Sequence, residues 1–403
     1  MRMGRSLCAA ALLGLVAIGC AAKPKAPPPD AGKVAAPAPS PDLTPVLSRT
    51  ETDTSPDGRV TFHGPFNNDA VLAEWSGLPA HQFVHVELDL LILRSWDGSV
   101  PYEIARVKKD GPDYFRLGVV DGPIVLSTTF SCLPDDPEGF NDHGKKQNFP
   151  SPVPGDRLPA WSGASEKNTM GYHYPKPGPP EIVPMDATYR IRLLIPHRGD
   201  TLALRLEAFG LQHLLDESWG IRRLRVRPLT EAPTQMLEAA TIRSAFSAAC
   251  DLDATTLPTN SRPAAVKSLD SYLGPLDAVN VLVAGGDATV EWIRKYVQPR
   301  KLDAAAVAVA IHDLAGDDDH IDQRDAAGET LANFGPAVEP FLRDARLIAR
   351  GEQRSRIELV LSRLGTTPID DEGLRQVALA TRVLEVIGTK DALRLRRQLV
   401  GAE

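Results

Sequence analysis

Four cysteines in 403 residues leave this sequence little disulfide chemistry. Cys8 and Cys20 fall within the first twenty residues, so only Cys132 and Cys250 remain for the folded chain. They could pair in an oxidising compartment, but they lie in segments read below as different domains, so two free or buried thiols are expected. A basic excess is also missing: 45 Lys and Arg face 52 Asp and Glu, a net charge of -7 that argues against general nucleic-acid binding. Metal and nucleophile signatures are absent too. The nine histidines contain no His-Glu-x-x-His pair for zinc. No Gly-x-Ser-x-Gly elbow presents a serine nucleophile, and no Asp-x-Asp-x-Asp-Gly run forms a calcium loop. Gly139 to Lys146 nearly matches a phosphate loop but lacks the hydroxyl residue after the lysine and the flanking strand and helix. Asp317-Asp318-Asp319-His320 reads as a helix cap complementing the dipole rather than a metal site.

What is present begins at the start of the chain. Met1-Arg2-Met3-Gly4-Arg5 is basic, and Leu7 to Ile18 is an almost unbroken apolar run too short to span a bilayer comfortably. It closes on Ala17-Ile18-Gly19-Cys20, so the segment reads as an export signal. The Gly-Cys ending resembles the lipobox of bacterial lipoproteins, although Ala17 stands where Leu is usual. The resemblance implies cleavage after residue 19, a lipid on Cys20 and membrane anchoring outside the cytoplasm, in the outer membrane or on the periplasmic or cell-surface side. The following stretch, rich in Ala, Pro and Lys, buries little and reads as a tether through residue 52.

A length of 403 residues with 43% hydrophobic and 24% charged residues suggests two or three ordinary globular domains. Over residues 53–229 the pattern has period two. Val84, Val86, Leu88 and Leu90 alternate with His85, Glu87 and Asp89, and Tyr189, Ile191, Leu193 and Ile195 alternate with Arg190 and Arg192. Leu202, Leu204 and Leu206 repeat the theme. Such alternation puts one face in the core and the other in water, the habit of antiparallel sheets. Further strands are expected at Val60–Phe66, Val71–Trp75, Tyr114–Val119 and Ile124–Phe130. The expected fold is an antiparallel, jelly-roll-like β-sandwich of about eight strands. Ser131 to Asp186 forms a long Pro- and Gly-rich insert, a functional or mobile loop. Arg223, Arg225 and Arg227 share one strand face, most simply a solvated one.

Several motifs of this region resemble a lectin-type surface module of exported bacterial proteins. They include Gly64-Pro65-Phe66-Asn67-Asn68-Asp69, Ser95-Trp96-Asp97-Gly98, Asn168-Thr169-Met170-Gly171-Tyr172 and Asp216-Glu217-Ser218-Trp219-Gly220-Ile221. The resemblance implies a sandwich and an exported location, and no settled activity. Two Trp-acid motifs in one domain suggest a ligand site at Trp96, Asp97, Asp216, Glu217 and Trp219. Asp97, Asp216 and Glu217, with Asn68 or Asp69, offer hard oxygens for Ca²⁺, which takes about six to eight of them. Exposed indoles would instead stack on a glycan. The structural alternative keeps the tryptophans in the core and the acids on turn amides.

After Thr230 the period becomes 3.6. Residues 230–289 read as a helical connector, with a helix near Gln235–Ala249. Residues 290–403 carry paired helices: Leu331 and Phe334 end one at Gly335, and Pro336 opens the next. Ile357, Val360, Leu361 and Leu364 precede Gly365, and Leu374 to Ile387 precede Gly388. This tail resembles a HEAT-like α-solenoid, which implies protein-protein contact and brings no catalytic residues. The expected whole is all-β plus all-α, a non-catalytic envelope lipoprotein that binds a glycan, Ca²⁺ or protein and recruits a protein partner. Two alternatives are a glycan-active hydrolase using Asp97, Asp216 and Glu217 as paired carboxylates, and a purely structural envelope protein.

Overall fold

A computed structural model describes residues 43–99, 102–104, 107–110, 112–133, 146–174, 183–231, 239–250, 277–300, 302–315, 321–366, 369 and 371–401. The export signal, Cys20 and the tether to residue 42 lie outside these residues. So do Gly139 to Lys145, Asp317 to His320 and the connector over 251–276.

Period-two alternation builds two antiparallel sheets. The six-stranded sheet contains β2 (Thr52–Thr54), β3 (Thr61–Phe66), β5 (Phe83–Arg94), β12 (Glu166–Lys167), β15 (Asp186–Pro196) and β17 (Glu217–Leu229). Their spatial order is β12-β15-β5-β17-β3-β2. The five-stranded sheet contains β1 (Val46–Leu47), β4 (Ala70–Ser76), β8 (Tyr114–Val119), β9 (Ile124–Thr129) and β16 (Thr201–Phe209). Its order is β1-β4-β16-β8-β9. Three two-stranded ribbons complete the set: β6 (Tyr102–Ile104) with β7 (Val107–Asp110), β10 (Lys146–Gln147) with β11 (Leu158–Pro159), and β13 (His173–Tyr174) with β14 (Val183–Pro184).

One core joins the two sheets. Val84, Val86, Leu88, Leu90 and Ile92 of β5 meet Leu202, Leu204 and Leu206 of β16 in a single apolar cluster. Burial of such side chains contributes about 1.5–3 kcal/mol each. On the opposite face of β5, Leu91 and Leu93 are buried against Phe62, Met170 and Tyr172. The cover, Asn168 to Tyr172, is held by the buried Asp186 carboxylate, which accepts hydrogen bonds from the amides of Thr169 (2.8 Å), Met170 (3.2 Å) and Tyr172 (3.2 Å). The long insert is ordered where described. Gln147 Oε1 accepts from Ser131 N, Trp161 N and Tyr189 OH at 3.0–3.1 Å, and its amide donates to the carbonyls of Phe149 and Ser162. Such a satisfied buried amide fixes a loop in one conformation.

Helices follow the sheets: α1 (Ala239–Cys250), α2 (Asp277–Ala284), α3 (Asp287–Tyr296), α4 (Ala304–Asp313) and α5 (Ile321–Asn333), then α6 (Glu339–Ile348), α7 (Gly351–Thr366), α8 (Glu372–Ile387) and α9 (Lys390–Leu399). Asp303 and Asp371 cap α4 and α8 by accepting from first-turn amides. Gly335 opens a 3₁₀ turn through Val338, so the helix expected to begin at Pro336 starts at Glu339 instead. α7 runs on through Gly365 to Thr366. Among the described residues no helix is long and apolar enough to cross a membrane. Among the described residues neither Cys132 nor Cys250 forms a disulfide, and both are buried.

From Ser40 onward sheets and helices form one unit. Asn280 of α2 takes the place of a strand at the edge of β15: its side chain accepts from Leu194 N (2.9 Å) and donates to Arg192 O (3.1 Å). An edge covered in this way no longer templates pairing with another chain. Across the five-stranded sheet, Glu207 of β16 meets Arg116 of β8 (3.4 Å) and Arg346 of α6 (3.1 Å), and Arg346 reaches Glu358 of α7 (3.0 Å). Arg375 of α8 pairs with Asp156 and donates to Cys250 O (2.6 Å). Burial and the like charge of Arg346 push the Arg116 pKa down to about 10, which leaves it cationic at neutral pH.

Candidate functional site

The chain brings three carboxylates together at one end of the two sheets. Asp97 follows the last residues of β5, Asp113 immediately precedes β8, and Glu217 opens β17. Their ligand oxygens all lie within 4.8 Å of one another, and the residues are 6%, 0% and 1% exposed. The site therefore draws on both sheets.

Local backbone explains the convergence. Arg94 at the end of β5 has φ 71°, which turns the chain into Ser95-Trp96-Asp97. Asp97 N donates a close hydrogen bond to Asp113 Oδ2, and Asp113 N donates to Gly98 O at 3.0 Å. Two glycines make this approach possible. At Gly98 (φ 79°) a Cβ would lie 2.2 Å from Lys146 O, and at Gly210 (φ 91°) it would lie 2.1 Å from Pro112 O. Glu217 is fixed by Gln212 N, which donates to its Oε2 at 2.6 Å, and by Asn67, whose amide donates to its carbonyl at 2.8 Å.

Of the residues singled out in the sequence, Asp97 and Glu217 meet in this cluster. Asp216 does not: its Oδ1 accepts from Ser95 Oγ at 2.6 Å and its carbonyl accepts from Ser95 N at 3.0 Å, so it closes a turn. Asn68 is bound to Leu211 N and O, and Asp69 pairs with Arg49 at 2.6 Å. Trp96 and Trp219 are both 0% exposed. Trp96 Nε1 donates to Ser218 O and Trp219 Nε1 to Asn67 O, each at 2.8 Å. Trp219 packs on Phe66 (4.9 Å) and Phe115 (5.5 Å). Neither indole offers a face to a sugar ring, so the glycan-stacking expectation at Trp96 and Trp219 is corrected: both are core residues. Asp113 is the member that the sequence reading missed. Its one local sign is the sequence Gly111-Pro112-Asp113 before an apolar run, and nothing there marks a ligand.

Three oxygen atoms this close suit a hard cation, whose ligands stand about 2.3–2.6 Å from a calcium ion. Their burial does not suit glycoside cleavage, which needs two acids flanking an open cleft that admits the sugar. Comparison of the chain with protein-family models, with curated proteins and with solved structures finds no match.

Proposed function

We propose that this chain is a non-catalytic cell-envelope lipoprotein, anchored through Cys20, whose β part is a lectin-like sandwich steadied by a Ca²⁺ ion and whose helices act as HEAT-like repeats for a protein partner. The observation that carries the reading is the burial of Asp97, Asp113 and Glu217 around one point. The acids already have partners, Asp97 N for Asp113 and Gln212 N for Glu217 among them, and a divalent cation would add a counter-charge that all three bond at once. Calcium fits the donor set because every donor is a carboxylate and neither His nor Cys takes part. Glu217 and Asp97 also hold the β16–β17 loop and the end of β5, so the ion would stiffen that end of the sandwich. The partner surface on the helices includes Val309, Leu347 and Ile348, which are exposed.

A hydrolase would need these acids open to solvent, and a purely structural role would leave them on the turn amides they already accept from, Asp97 N for Asp113 and Gln212 N for Glu217. Thermal melting of the full chain separates the readings. With Ca²⁺ the midpoint should rise saturably and fall back with EDTA, because a ligand of the native state stabilises it by mass action. An unchanged midpoint would overturn the cation centre.

A further inference from the structure

The outer face of the six-stranded sheet carries an arginine lattice that the cation centre does not use. Strand register places Arg190 of β15 and Arg223 of β17 on either side of Asp89, and Arg192 and Arg225 on either side of Glu87. Arg227 stands beside His85 in the next row. A register shift between Ile221 and Arg223 brings Arg222 to the same carboxylate. Asp89 is thus shared by three guanidiniums, Arg190 and Arg222 at 3.0 Å and Arg223 at 3.7 Å. Glu166 also comes to 3.7 Å from Arg222, so the named groups set the three carboxylates of Glu87, Asp89 and Glu166 against the six guanidiniums of Arg190, Arg192, Arg222, Arg223, Arg225 and Arg227, a cationic excess in a molecule whose net charge is -7.

Relief across the face matters as much as charge. The Asp89 side chain is 0% exposed, whereas those of Arg190 and Arg223 are 35% and 45% exposed. An acidic spine therefore lies sunken between two raised arginine columns about 10 Å apart, with rows about 7 Å apart along the strands. The acids orient the guanidiniums, and a fork with five donors keeps outward N–H groups after bonding one carboxylate. We propose that this face binds an acidic polysaccharide. A linear polymer lies along one column and keeps its charges off the spine, whereas a continuous anionic plane such as a membrane covers spine and columns alike. That the polyanion is a saccharide rests on the envelope location proposed above; that the ligand is anionic does not.

The test is binding of the full-length protein, in EDTA and at low salt, to polygalacturonate and dextran sulfate, with neutral dextran as reference. EDTA separates the result from the cation centre. Binding to either acidic polymer but not to dextran, weakening as salt is raised, is expected. The double change Arg223→Gln with Arg227→Gln should weaken it at least about tenfold at an unchanged melting midpoint. Arg205→Gln, on the other sheet, should leave it unchanged. No binding to either polymer, binding indifferent to salt, equal binding by the double variant, or binding to anionic phospholipid vesicles alone would overturn the proposal.

Discussion

A tryptophan beside an acid reads the same in sequence whether its indole faces a ligand or the core. Here both indoles turn inward because each Nε1 finds a backbone carbonyl, Ser218 O for Trp96 and Asn67 O for Trp219. That bond lets a large amphipathic ring sit in an apolar interior without an unsatisfied donor. Trp219→Ala should therefore cost about 3–5 kcal/mol of stability in urea unfolding. A ligand platform would behave otherwise, losing binding at unchanged stability. The same residue-scale logic separates the acids. Asp216 and Glu217 are neighbours in sequence, yet Asp216 binds Ser95 Oγ while the Glu217 side chain joins the cluster. Asp113 is not legible from the chain, because its significance comes from residues delivered by other strands.

Among the elements, α6 shows how a polar helix face becomes structural. Glu339 at its start is buried between Arg343 (2.8 Å) and Arg382 of α8 (2.9 Å), and Arg343 also reaches Glu385 (3.2 Å). Burial alone would raise the Glu339 pKa, but the Arg382 and Arg343 guanidiniums outweigh it and hold the carboxyl at about 2. A carboxyl depressed from its usual 4.5 contributes stability that is fully present above about pH 4.5 and is lost as pH falls toward about 2. The loss is on the order of 3 kcal/mol for one such group. Acid titration of stability should show it, and Glu339→Gln should flatten the profile in that window; an unchanged profile would contradict the pairing. Sequence reading found most elements of this kind. Apolar spacing and cap residues mark α8 between Asp371 and Gly388, and alternation marks β5, β15 and β16. It did not find the 3₁₀ turn at Gly335–Val338, because glycine followed by proline signals a break without saying how many residues the break takes.

At the scale of the molecule, the change of period near Thr230 separates sheets from helices, and the structure has an antiparallel β region followed by helices. What the period could not show is how the two parts are joined. Asn280 covers the β15 edge, and the Arg116, Glu207, Arg346 and Glu358 charges tie α6 and α7 to the five-stranded sheet. These are pairings across great sequence separation, and no local pattern encodes them. The carboxylate cluster is the same kind of feature, assembled from the ends of β5 and β17 and the residue before β8. Its proposed ion is the centre of the account. Calorimetric titration of the full-length protein with Ca²⁺, alongside Asp113→Asn and Asp216→Asn, tests it most directly. A single saturable site is expected for the wild type and for Asp216→Asn, with at least about tenfold weaker binding for Asp113→Asn. No binding at millimolar Ca²⁺, or an Asp216→Asn loss as large as that of Asp113→Asn, would contradict it.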